Sequence, residues 1–79
     1  MLIPFELFDG SIVWLKPTKK TMVIMVCLCD GLWETHLDNQ GDSIYTLCKG
    51  EKKTNAFRMA LSAVEKINMC LECKGNKNA

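Results

Sequence analysis

Thr21-Met22-Val23-Ile24-Met25-Val26-Cys27-Leu28-Cys29 forms a nine-residue apolar run in the middle of the chain. Its length suits one strand, and it lacks the apolar–polar alternation of a half-buried strand, so both of its faces are expected to be covered. It also opens a 28-residue span, Thr21 to Cys48, that contains no Lys or Arg. In a chain of 79 residues the protein's own helix can cover one face of such a strand. The other face then calls for a second copy or a partner.

The elements on either side follow from turn chemistry. Leu2 to Phe8 reads as a first strand, and Asp9-Gly10 as a type I′ hairpin. Ser11 to Lys16 makes a second strand, ended by Pro17 and Thr18-Lys19-Lys20. The apolar run is the third and central strand. Asp30-Gly31 is a second hairpin signal, and Leu7-Phe8-Asp9-Gly10 resembles Leu28-Cys29-Asp30-Gly31 through shared turn chemistry. Leu32 to Leu37 reads as a fourth strand, with Trp33, Thr35 and Leu37 on one face and Glu34 and His36 on the other. A turn over residues 38–42 leads to a fifth strand, Ser43 to Cys48.

A helix follows, predicted from the stripe Phe57, Ala60, Leu61, Val64, Ile67 and Leu71. Thr54 is the expected N-cap, with Glu51 as an earlier start. Two ends are open: a helix to about Glu72 with Gly75 as cap, or a stop near Asn68 followed by a short strand from Met69 to Lys74. The fold class is therefore α+β, an antiparallel β-meander of about five strands with one C-terminal α-helix packed on one face. Residues 1–75 are expected to form a single domain, and 76–79 a frayed tail.

A hydrophobic content of 48% with 24% charged residues is that of a globular chain and excludes general disorder. The longest apolar run falls well short of the ~20 residues that span a bilayer. Met1 to Glu6 lacks the basic start of a signal peptide, and a cytoplasmic protein is expected. The five cysteines, Cys27, Cys29, Cys48, Cys70 and Cys73, are accordingly read as reduced and mostly buried. Cys70-x-x-Cys73 supplies one zinc-knuckle pair where two are needed, so no metal or other cofactor is expected. The same pair lies at the end of the helix, where the dipole has the wrong sign to activate a thiol.

No catalytic residue is identified. His36 is the sole histidine, and nothing in its spacing selects a cysteine partner. Glu34, Asp38 and Asp42 lack the ligand alternation of a calcium loop. An enzyme is not expected. Trp14, Trp33 and Tyr45, with Glu34, Asp38 and Asp42, are instead candidates for a protein-binding surface, because aromatic residues anchor interfaces.

Lys49, Lys52, Lys53 and Arg58 cluster at the helix N-terminus, where cations are locally unfavourable and an anion would be welcome. Lys49-Gly50-Glu51-Lys52-Lys53, followed by Ala56, Ala60 and Ala63, resembles the C-terminal half of double-stranded RNA-binding domains, which carry a Lys-Lys-led, alanine-rich helix after three strands. That resemblance covers about 20 residues and implies phosphate contacts by Lys52 and Lys53. The chain departs from the family in having strand-like Leu2 to Lys16 in place of the first helix, and in a one-residue displacement of the alanine after the lysine pair.

The leading functional expectation is a small non-enzymatic protein-binding module. It would dimerise through its second sheet face or dock that face on a larger assembly. In type it resembles phage or mobile-element proteins that inhibit a host or defence complex, as anti-CRISPR proteins do. The alternative is a nucleic-acid-binding domain using the basic helix entry, although a net charge of +1 is low for that role. A small zinc- or thiol-dependent protein is the remote third.

Overall fold

A computed structural model of the chain describes residues 1–41 and 43–75, with side chains through residue 72. The order of elements is β1 (Ile3–Glu6), β2 (Ile12–Leu15), β3 (Thr21–Cys27), β4 (Trp33–Asn39), β5 (Ser43–Glu51) and α1 (Lys53–Gly75). All strand pairs are antiparallel, so the α+β class holds. The strands do not form one continuous meander. They make two sheets, a β1–β2 hairpin and a three-stranded β3–β4–β5 sheet.

This division overturns the central place expected for the apolar run. β3 pairs only with β4 and is an edge strand of its sheet. Pro17 and the turn closed by the Thr21 amide on the Thr18 carbonyl carry the chain away before β2 and β3 can pair. The hairpin joins the opposite edge instead, where the Phe8 amide donates to the Thr46 carbonyl of β5 at 3.1 Å.

The two similar turn sequences make the same turn, though not of type I′. In each, the glycine amide donates to the leucine carbonyl three residues back, Gly10 to Leu7 and Gly31 to Leu28. Only the glycines have positive φ, at 88° and 82°. The aspartates keep negative φ and accept from the amide two residues on, Ser11 and Leu32, at 3.0 Å each. This is the three-residue hairpin loop closed by a left-handed glycine.

The helix packs on one face of the β3–β4–β5 sheet. Leu37 and Thr35 are fully buried beneath it, and Thr35 Oγ1 donates to the Ala56 carbonyl at 2.8 Å. The buried stripe is Ala56, Ala60, Ala63 and Ile67. Phe57, Leu61 and Val64, expected at the core, lie on the helix flank at 56, 47 and 37% exposure. Small residues win the central line because they let the helix approach the sheet closely, as the Thr35–Ala56 bond requires. Lys52, whose carbonyl accepts from the Ala56 amide, precedes the helix, so Thr54 lies within the first turn and is not its N-cap. The helix continues through residues 69–74 and excludes the short sixth strand. Residues 76–79, read as a frayed tail, lie outside the described residues, as does Asp42.

The core cluster joins both sheets and the helix. Phe5 and Leu15 from the hairpin meet Leu37 and Leu47 from the larger sheet, with Ala63 and Ile67 above them.

Candidate functional site: the open edge of β3

Hydrogen-bond phase identifies which backbone groups of β3 are free. The Leu28 amide donates to the Leu32 carbonyl at 2.7 Å, which closes the β3–β4 hairpin. In an antiparallel ladder the bonded pairs alternate. Given the Val26↔Glu34, Ile24↔His36 and Met22↔Asp38 register, the even residues of β3 bond to β4. The N–H and C=O groups of Val23, Met25 and Cys27 therefore point outward. Among the described residues no backbone group outside the sheet bonds to them, whereas the outward Thr21 amide is taken by Thr18. The other edge obeys the same phase, since the Thr46 carbonyl that receives Phe8 also points outward.

Edge strands usually carry a lysine, a proline, a bulge or a cover that prevents pairing with another chain. β3 has no charged residue and no proline between Thr21 and Cys29, and its pairing with β4 is regular throughout. Apolar side chains flank it on both sides. Val23, Met25 and Cys27 share the helix-covered face with Thr35 and Leu37, while Met22, Ile24 and Val26 share the open face with Glu34, His36 and Asp38. Met59, Ser62, Ala63 and Lys66 of the helix line a cavity with the hairpin and β5. The opposite flank, carrying Phe57, Leu61 and Val64, therefore overhangs the β3 side. An unpaired strand and an apolar helix flank thus run along one side of the molecule.

The residues expected at a protein-binding surface are not brought together. Trp14 is exposed on the hairpin. Trp33 and Tyr45 are half-buried on the helix-covered face, Trp33 beneath the Lys53 ammonium at 5.3 Å and Tyr45 against the core. Glu34 and Asp38 lie on the open face on either side of His36. There His36 Nε2 meets Glu34 Oε1 at 2.9 Å, and Nδ1 meets Thr46 Oγ1 at 3.3 Å. The second sheet face therefore has a polar centre between apolar margins, rather than the apolar surface expected. No cysteine adjoins this imidazole in its hydrogen bonds, and the pair is already mutually satisfied.

The basic cluster lies around the start of the helix, whose first turn contains no acid. Lys49, Lys52, Lys53 and Arg58 are all exposed. Two of these ammonium groups rest over aromatic rings, Lys53 over Trp33 and Lys49 over Phe8 at 5.4 Å. Nearby, Glu51 Oε1 accepts from Asn55 Nδ2 at 3.1 Å. The β3–β4–β5 sheet followed by a helix with buried Ala56, Ala60 and Ala63 has the order that the double-stranded RNA-binding resemblance implies, but a hairpin stands where that family has its first helix.

Contrary to the expectation of buried thiols, Cys27 and Cys29 are exposed at the end of β3, while Cys48 is buried. No cluster of metal-ligating side chains occurs among the described residues. The cavity between hairpin, β5 and helix, about 480 Å³, includes Phe5, Phe8, Leu47 and Met59 in its lining. Its cations are occupied: Lys66 Nζ donates to the Pro4 carbonyl and lies 4.7 Å from the Phe5 ring, and Lys49 covers Phe8. Among the described residues no helix is long and apolar enough to cross a membrane. Comparison with known protein families, with curated proteins and with solved structures returned no match.

Proposed function

We propose that the chain is a non-enzymatic protein-binding module that docks a partner strand on the open edge of β3. The carrying observation is the free backbone of Val23, Met25 and Cys27 on an edge without a charge or proline to block pairing. Strand addition of this kind draws affinity from main-chain hydrogen bonds and specificity from the side chains on either face. The exposed flank of Phe57, Leu61 and Val64 supplies an apolar wall beside the added strand. A role as an inhibitor of a larger assembly, encoded by a phage or mobile element, is consistent with this mode of docking and with a cytoplasmic protein.

Met25→Pro tests the reading. It removes an outward N–H and places a ring in the path of an incoming strand, yet leaves every bond to β4 in place. Any complex the chain forms, with itself or with another protein, should be lost in Met25→Pro and kept in Trp14→Ala. A complex that survives Met25→Pro and fails with Trp14→Ala would move the docking site to the hairpin and overturn the proposal.

A second reading, nucleic-acid binding, is favoured by the exposed Lys52 and Arg58 and the acid-free first helical turn. It predicts salt-dependent retention on duplex RNA or DNA that is lost in the Lys52→Glu, Lys53→Glu double variant.

A further inference from the structure

We infer that the occupant of the β3 edge is β3 of a second copy, paired antiparallel about a two-fold axis at Met25. This inference rests on the strand-docking reading above and specifies the partner. Its first support is the symmetry of the free groups. Val23, Met25 and Cys27 are the outward positions, and the Thr18 turn closes the edge just before them. A two-fold at Met25 pairs Met25 with its own copy and Val23 with Cys27 of the copy. All free N–H and C=O groups then find partners, and a shift by one step in either direction leaves one of them unpaired. The nine-residue apolar run is itself centred on Met25, so this axis superposes the run on itself.

Charge supplies the second support. The run is preceded by Lys19-Lys20 and followed by Asp30, all exposed. Antiparallel pairing about Met25 sets Lys20 of each copy opposite Asp30 of the other, twice by symmetry. No like charges meet along the seam, because Thr21 to Cys29 carry none. Self-complementarity of this kind is what a closed two-fold interface requires.

Side chains complete the seam on both faces. On the open face Ile24 would lie opposite Val26 of the copy, and Met22 opposite Leu28. On the other face the flanks bearing Phe57, Leu61 and Val64 approach one another across the axis. The result is a six-stranded sheet carrying two neighbouring helices, with the open apolar edges consumed. A stable dimer of standard size covers about 800 Å² per partner. The strand edge and the helix flank are contiguous, so both contribute to that area.

The test combines sedimentation equilibrium on the reduced protein with isotope-filtered NMR on a mixture of labelled and unlabelled chains. The expected result is a dimer at high micromolar concentration with an intermolecular contact between Ile24 Hα and Val26 Hα, the directly opposed non-bonded pair. Lys20→Glu, a surface change outside the core, should weaken the dimer about tenfold, since two exposed ion pairs become two repulsions. A dimer lacking the Ile24–Val26 contact, or indifferent to Lys20→Glu, overturns the inference. A chain that stays monomeric overturns it as well, while the edge remains available to a different partner. The strand-docking reading fails separately if Val23, Met25 and Cys27 amides are already protected from exchange in that monomer.

Discussion

Two substitutions one residue apart on the helix, Phe57→Ala and Ala56→Leu, should have opposite consequences to those the hydrophobic pattern suggests. Phe57 is 56% exposed, so less than half of its side chain is removed from water. Full burial of such a side chain is worth at most about 3 kcal/mol of transfer energy, which leaves roughly 1 kcal/mol here, with no closed cavity to add to it. Ala56 has 0% exposure and its carbonyl receives the Thr35 hydroxyl at 2.8 Å. Three added carbons must displace the helix from the sheet, at about 1–3 kcal/mol for overpacking and about 1 kcal/mol for the hydrogen bond. A domain of this size has about 4–12 kcal/mol in total, so Ala56→Leu removes a large share of it while Phe57→Ala removes a small one.

Urea unfolding followed by far-ultraviolet circular dichroism and by the combined fluorescence of Trp14 and Trp33 measures both. Protein is kept at low micromolar concentration so that association through the Phe57 flank does not contribute. In thermal melts Phe57→Ala should lower Tm by roughly 4–8 °C, and Ala56→Leu by at least twice that. If Phe57→Ala cost about 3 kcal/mol or more while Ala56→Leu were neutral, the helix would be rotated from the orientation described. The flank assigned to the β3 edge would then be core.

Thiol accessibility should divide the cysteines: Cys27 and Cys29 react rapidly with a disulfide reagent in the native state, and Cys48 reacts only on unfolding. Native reactivity of Cys48 matched to that of Cys27 would contradict the burial of Cys48 in β5. At the first hairpin, hydrogen bonds from the Ser11 side chain and amide hold the Asp9 carboxyl below the usual carboxylate range. A depressed folded value gives stability that is present above the unfolded value and lost as pH falls through the folded one. The difference in Tm between wild type and Asp9→Ala should therefore be present at neutral pH and fade under strongly acidic conditions. A difference that grew with acidification would contradict the assignment.

Local chemistry made much of the fold legible. The repeated Leu-x-Asp-Gly turns, the faces of β4 and the existence of the C-terminal helix all follow from short-range pattern. The position of β3 in its sheet did not, because an unbroken apolar run describes how apolar a strand is and not which of its neighbours reaches it first. The Thr18–Thr21 turn and the bond from Phe8 to Thr46 send the hairpin to β5 and leave β3 at the edge. The helix stripe misled for a related reason. Ala56 and Ala63, left out of the stripe, score as weakly hydrophobic beside Phe57 and Leu61, yet close packing favours the smaller residues. The open edge itself had one signal in the sequence, the absence of lysine, proline or acid from Thr21 to Cys29, which carries meaning only once the strand is known to be an edge.

The edge assignment is open to a single direct measurement, residue-resolved amide exchange along β3 in dilute, reduced protein. Val23, Met25 and Cys27 should exchange orders of magnitude faster than Ile24 and Val26, and slow together as the concentration is raised. Equal protection of all five amides at the lowest concentration would place a strand on both sides of β3 and contradict the account.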